Sequence, residues 1–371
     1  MRIAMVSDCY LPRLGGIELQ VHDLAAQLIT AGHQVTVFTT AEGPPAAGDV
    51  PVVRLPALAG APLPSAIERL RDELSSFDVV HSHSSLLSPL AWQAARLARA
   101  AIVTLHSLPS ASMPWPVAWV DRYVGDVRWT AVSEAVAGVL RRSLPGRSVG
   151  VLHNGIEPGP WRQPRRAEHP LTIVSTMRLT RRKRPMALVR TLENIRRLLP
   201  SEIPVRAAII GSGPLAGAVA TAVRRRGLTG WVDLPGRLTR YEIQQLYAAA
   251  DVYLAPAELE SFGVAALEAR CAGLPVVAMA SGGVGEFVRS GVEGYLVDSD
   301  VRMAEAAAAL LTDTAVLSRI QEHNQHTDPV MTWNKVVTEH LTAYQTARAS
   351  SIARGERPAQ LVGEWLDLES V

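Results

Sequence analysis

Short apolar runs alternate with segments of helical spacing along most of the chain. The runs at 3–7, 34–39, 52–55, 78–81, 101–105, 129–132 and 149–152 predict buried strands. Apolar positions at 19–31 recur at helical spacing and stop at Gly32, and 66–75 follows the same spacing. The stretches after 81, 105 and 132 are also helix-like. Residues 43–51 are rich in proline and glycine and predict a loop, and 156–169 reads as a linker. The pattern then restarts. Strands are expected at 171–176, 205–210, 232–234, 252–255, 276–278 and 295–297, with Phe287 among the sheet residues. Helices are expected at 185–199, 215–226, 240–249, 262–272, 304–311 and 333–347.

Such alternation predicts an α/β chain with mostly parallel sheets and helices on both faces. It falls into two Rossmann-like, doubly wound units, 1–155 and 170–330, followed by a helix at 331–348 and a tail at 349–371. Ligands of doubly wound sheets sit beyond the carboxyl ends of the strands, so a cleft between the two units is the expected site.

Composition narrows the function classes. With 371 residues, 48% hydrophobic and 19% charged, the chain is globular and long enough for two cores. A net charge of +2 argues against nucleic acid as a partner. The basic runs 181–184 and 224–226 read as solvated surface. Cys9 and Cys271 are too few for a disulfide framework or a zinc site, which points to a reduced, cytoplasmic setting. The apolar run 1–6 is short for a signal peptide and turns polar at Ser7-Asp8. No uncharged apolar run is long enough to span a membrane.

Candidate chemistry clusters at the predicted strand ends. Gly15 and Gly16 precede a helix, where backbone amides can approach a phosphate, although a plain tight turn needs the same residues. Arg178 and Lys183 follow the strand 171–176. They are placed to neutralise a diphosphate, or else belong to the exposed basic run. The stretch 256–268 follows a strand and opens a helix. Ser261 is an expected N-cap, and the amides of Phe262, Gly263, Val264 and Ala265 are expected to face a phosphate or sugar hydroxyls. Glu260 lies at the mouth. Glu268 sits in an apolar helix and needs hydrogen-bond donors, such as ribose hydroxyls or a structural ion pair.

Glu260 and Glu268, with seven residues between them, resemble the paired glutamates of the retaining glycosyltransferases of family 4. Further stretches agree in order: Gly15-Gly16, His81-Ser82-His83, Leu105-His106, Ala131-Val132-Ser133-Glu134, His153-Asn154-Gly155-Ile156, Met177-Arg178-Leu179 with Lys183, Ile210-Gly211-Ser212-Gly213-Pro214, Pro235-Gly236-Arg237, Gly282-Gly283 and Gly291-Val292-Glu293-Gly294. Thr332-Trp333 resembles the start of the family's final helix, which crosses back onto the first domain. The resemblance spans about 1–347. It implies a GT-B fold, a nucleotide-diphosphate sugar as substrate, no cofactor and no metal. It implies that Arg178 and Lys183 hold the diphosphate, Glu268 the ribose, and Glu260 with the amides after it the sugar. Gly236, Arg237 and Leu238 would hold the base, Gly16 the phosphates from the first domain, and His106 would lie near sugar and acceptor. A lone histidine there is also compatible with a buried, hydrogen-bonded role.

The stretch from Ser281 to Glu286 lacks the family's usual proline before the glutamate, which bears on sugar selectivity. The first half most resembles members that glycosylate inositol phospholipids, through 5–8, 14–18, 80–84 and 106–108. That implies a lipid or saccharide acceptor. Trp115 and Trp119 near Arg122 suggest peripheral contact with the inner face of the cell membrane, or a core-packed helix entry. A different enzyme class is open in Gly211–Ala216, which with Asp233 fits a dinucleotide fingerprint of an NAD-dependent oxidoreductase. A non-catalytic binder of nucleotide sugars is a third reading.

Overall fold

The computed structural model describes residues 1–13, 15–108, 115–164 and 170–354. Ile3, Ala4, Met5 and Val6 are apolar and fully buried, as expected of a strand covered on both faces. Their strand, Arg2–Ser7, is central in an eight-stranded sheet. On one side it pairs with Val79–Ser84, followed outward by Ala101–Leu105, Arg128–Ala131 and Val149–Val151. On the other side lie Gln34–Thr39 and Val50–Arg54. All these pairs are parallel. The order reverses between Arg2–Ser7 and Val79–Ser84, so their carboxyl ends flank a crevice.

The second sheet has six parallel strands, in the order Val232–Gly236, Val205–Ile210, Leu171–Thr176, Val252–Ala255, Val276–Met279 and Gly294–Val297. Its order reverses between Leu171–Thr176 and Val252–Ala255. The loops leaving these two strands carry Arg178 with Lys183 and Glu260 with Ser261, so the reversal brings both sequence candidates to one crevice.

The final helix, Trp333–Arg354, returns to the first domain. Ile156 exchanges backbone hydrogen bonds with Met331 and Trp333 at 3.0 and 3.1 Å. The Trp333 indole lies so close over Gly155 that a Cβ there would overlap it. Tyr344 reaches His81, and Arg348 pairs with Asp78 at 3.2 Å. One buried apolar cluster runs from Ile3 and Trp129 through Trp161 and Trp333 to Phe262 and Phe287, so the two domains share a packed seam.

Several local expectations change. The loop 43–51 contains a short strand, Ala46–Ala47, antiparallel to Val50–Arg54. Phe287 is not in a strand; it follows the 3₁₀ turn Gly283–Glu286 and packs on Phe262. The helix Thr314–His326, capped by Asp313, lies where none was expected. The last helix extends past 348 to Arg354, into the range read as tail. Leu14, 109–114, 165–169 and 355–371 lie outside the described residues, so the tryptophan-rich stretch is described only from Trp115. No described helix is long and apolar enough to cross a membrane.

Candidate active site

The loop after Leu171–Thr176 is seated by backbone contacts. Met177 and Leu179 donate to the carbonyls of Ile210 and Ser212 at 3.0 and 2.9 Å. Gly211 and Gly213, both at positive φ, lie against the Met177 and Leu179 carbonyls with no room for a Cβ. The Gly-x-Gly spacing therefore has a local packing reason. From this loop Lys183 Nζ reaches Glu260 Oε2 at 2.6 Å. Arg178 is exposed and pairs with no described residue.

The basic run 181–184 is not a solvated face. Arg182 Nη2 donates to the carbonyls of Leu259 and, across the cleft, Leu108, at 3.1 and 2.9 Å. Arg184 binds Asp300 and the Pro256 carbonyl, both at 2.8 Å, and so ties the two switch-point loops together.

The helix Val264–Cys271 starts later than expected, and its N-cap is Gly263 at φ +97°. A side chain at that backbone angle is strained, which accounts for the glycine at the cap; Ser261 lies two residues before it. Instead Ser261 joins the domains. Its Oγ accepts from the Leu108 amide at 2.8 Å, and its carbonyl accepts from Ser133 Oγ at 2.5 Å. Phe262 is expected to act through its amide, and its side chain is engaged elsewhere. Its ring is buried between His153 and Phe287, leaving only its backbone for a ligand. The amides of 262–265 donate to no described residue and, with the helix dipole, make a site for negative charge.

Glu268 has no hydrogen-bond or ion-pair partner among the described residues. Burial pushes its carboxyl up to about 8, against the opposing pull of Arg240. Arg240 pairs with Asp23 of the first domain at 2.8 Å. Gly236, at φ +77°, accepts from the Gly211 amide; Arg237 is exposed and Leu238 leans on the core.

Across the cleft, Gly15 is the extended N-cap of Gly16–Thr30. The Glu18 carboxylate lies over Gly15 where a Cβ would go, and pairs with Arg13 at 3.1 Å. Gly16 borders open space. His106 is buried, and burial pulls it down to about 3, so it is neutral. Its Nε2 lies 2.9 Å from His83 Nδ1.

Glu286, noted in the sequence only for the missing proline before it, accepts from the Glu134 amide at 2.6 Å and pairs with His153 at 3.1 Å. Sequence reasoning missed this contact, along with those of His83, Ser133 and Arg182. Their motifs were visible, but their partners lie far away in the chain. Among the described residues, no group of three or more His, Cys, Asp and Glu could hold a metal ion.

Residues 14–160 match the model of Glycosyltransferase Family 4, and 161–327 that of Glycosyl transferases group 1. The chain is 30% identical to the GDP-mannose-dependent alpha-(1-6)-phosphatidylinositol monomannoside mannosyltransferase of Mycobacterium tuberculosis, covering 84% of this chain and 89% of that one. The chain belongs to glycosyltransferase family 4. The glycosyltransferase is also 29% identical to the D-inositol 3-phosphate glycosyltransferase of Mycolicibacterium vanbaalenii, over 92% and 87% of the two chains. Its fold matches Anabaena HepE in complex with UDP and glucose, with a TM-score of 0.75 at 18% identity, over 93% of this chain and 100% of that one. Sucrose-phosphate synthase of Thermosynechococcus elongatus gives 0.72 at 19%, over 94% and 99%. The glycosyltransferase therefore has the GT-B fold. Gly211–Ala216 is part of this enzyme's second domain, and the oxidoreductase reading falls.

Proposed function

We propose that this enzyme transfers a hexosyl unit, with retention and without a metal, from a nucleoside-diphosphate sugar to an acceptor bearing an inositol-type polyol, in free or lipid-linked form. The reading rests on the Lys183–Glu260 pair beside the free amides of 262–265. The two named relatives support mannose from GDP-mannose as the donor group and inositol as the acceptor group; a UDP-hexose is the other donor class.

In this reading the diphosphate takes Lys183 from Glu260 and is held by Lys183, Arg178 and the 262–265 amides. These groups meet the negative charge that grows as the bond from C1 to the phosphate oxygen breaks. Glu268 holds the ribose hydroxyls, the loop at Gly236, Arg237 and Leu238 the base, and Glu260 the sugar hydroxyls. Gly15 and Gly16 leave room for the phosphates from the first domain. The acceptor oxygen enters beside His106 and bonds to C1, and its proton passes to the departing phosphate oxygen. The clasped domains exclude water.

Peripheral membrane contact belongs to the same reading. Trp119 is half exposed, stacked on Tyr123, with Arg96 over that ring. Leu87 is exposed at the rim where Val79–Ser84 ends.

The test is a thermal-shift panel of GDP-mannose, UDP-N-acetylglucosamine, UDP-glucose and an ADP-sugar. It is followed by turnover with inositol phosphate or phosphatidylinositol vesicles, with and without EDTA. Stabilisation by GDP-mannose, an α-linked product and indifference to EDTA are expected. An inverted product or EDTA-abolished turnover would overturn the mechanism.

A further inference from the structure

His81 and His83 share one face of the strand Val79–Ser84, and Thr104 and His106 share the matching face of the neighbouring chain segment. The returning helix covers that face with His340 and Tyr344, and all these histidines are buried. The hydrogen bonds fix most of the proton positions. Thr130 Oγ1 donates to the Val103 carbonyl at 3.3 Å, so it accepts from Thr104 Oγ1 at 2.6 Å. Thr104 Oγ1 in turn accepts from His81 Nε2 at 2.6 Å, and His81 Nδ1 accepts from the Tyr344 hydroxyl at 2.8 Å. His340 Nδ1 donates to the Val336 carbonyl at 2.8 Å.

The remaining pair is His83 Nδ1 and His106 Nε2, at 2.9 Å. His83 Nε2 is buried and has no partner. Were the proton of this pair on His106, neutral His83 would carry its own on Nε2, as an orphaned buried N–H. With His83 as donor, the orphan is only a lone pair. Unpaired buried N–H groups are the rarer and costlier defect. A ring nitrogen's state is set by the bond the other one makes. His106 Nδ1 has no partner among the described residues and keeps access to solvent at the strand's carboxyl end.

We propose that His83 is a positioning residue: by donating from Nδ1 to His106 Nε2, it holds His106 as the Nδ1–H tautomer, so that His106 meets the substrates as a hydrogen-bond donor rather than as a base. The inference rests on the cleft role of His106 in the proposed function. His106 then offers its N–H to a phosphate oxygen or a hydroxyl oxygen, and the acceptor's proton leaves on the phosphate.

Long-range ¹H–¹⁵N correlation spectra of the labelled wild-type enzyme test the assignment directly. A protonated Nδ1 and a bare Nε2 on His106 are expected; the opposite pattern overturns the proposal. Kinetics supply the second arm. His83→Asn keeps a donor where Nδ1 stands and should retain kcat within about 5-fold, whereas His83→Leu should lose about 100-fold in kcat, the scale of one lost transition-state donor, at unchanged donor KM. Equal loss in both variants overturns the proposal in favour of a purely structural role. Full turnover in His106→Phe overturns the cleft reading itself while leaving the spectrum as it is.

Discussion

Lys183 Nζ rests on Glu260 Oε2, 2.6 Å away, where the strand order of the second sheet reverses. The side chains are about one-third and one-sixth exposed, so the pair is partly shielded but open to a ligand. Without donor, each group satisfies the other's charge.

Removing either partner should therefore have different effects. Lys183→Ala should lower turnover by about 1,000-fold and weaken nucleoside-diphosphate binding. Glu260→Gln should abolish turnover but bind GDP or UDP at least as well as wild type, because Lys183 no longer has to leave a carboxylate. Calorimetric titration beside turnover checks both. Weaker diphosphate binding in Glu260→Gln would refute the exchange.

Glu268 ties donor binding to pH. Its carboxyl is raised from the ordinary 4.5 to about 8, so near pH 7 the empty site holds it protonated. Ribose hydroxyls donate to a carboxylate, so binding should expel the proton, and affinity should rise with pH up to about 8 and then level. Titrations in buffers of different ionisation enthalpy measure the released proton. The sign for stability is opposite. Between 4.5 and about 8 the folded chain keeps a proton that the unfolded chain has lost, so unliganded stability falls as pH rises through that window. Glu268→Gln should remove that fall, measured by denaturant unfolding at pH 5 and pH 8, and should flatten the pH dependence of binding.

Glu286 holds the domains together. Burial pushes its carboxyl up, but hydrogen bonds from His153 and the Glu134 amide outweigh that and keep it below the ordinary range. The clasp is thus formed at neutral pH and is lost as pH falls through that depressed value. Glu286→Ala should widen the molecule in small-angle scattering and lower turnover by about 10-fold, about the worth of one charge-assisted hydrogen bond. Diphosphate affinity should stay within about 3-fold, because the charged groups proposed to hold it, Lys183 and Arg178, lie in the second domain. An unchanged scattering profile would count against the clasp.

Strand and helix placement was largely legible because it is local. Ile3 to Val6 or Val205 to Ile210 announce buried strands within a few residues, and Gly32 ends its helix by its own backbone freedom at φ +84°. The loops proposed to hold the donor were placed for a related reason: each follows a strand end directly in the chain, as at Arg178 and Glu260. The helix Thr314–His326 was not, because only Leu317, Ile320 and Asn324 are buried along it and its apolar stripe is thin.

What the amino-acid order determined by itself is thus the two doubly wound units and the residue types at their strand ends. Tertiary structure alone decided what those residues touch. Ser261 is a local N-cap candidate until Leu108 and Ser133 approach from more than 100 positions away. His106 is neutral because the fold buries it and brings His340 of the returning helix near, and the proposal that it acts as a donor rests on His83 standing beside it. Periodicity acts over one turn or one pleat; the state of a buried proton depends on every atom packed around it, wherever in the chain it comes from.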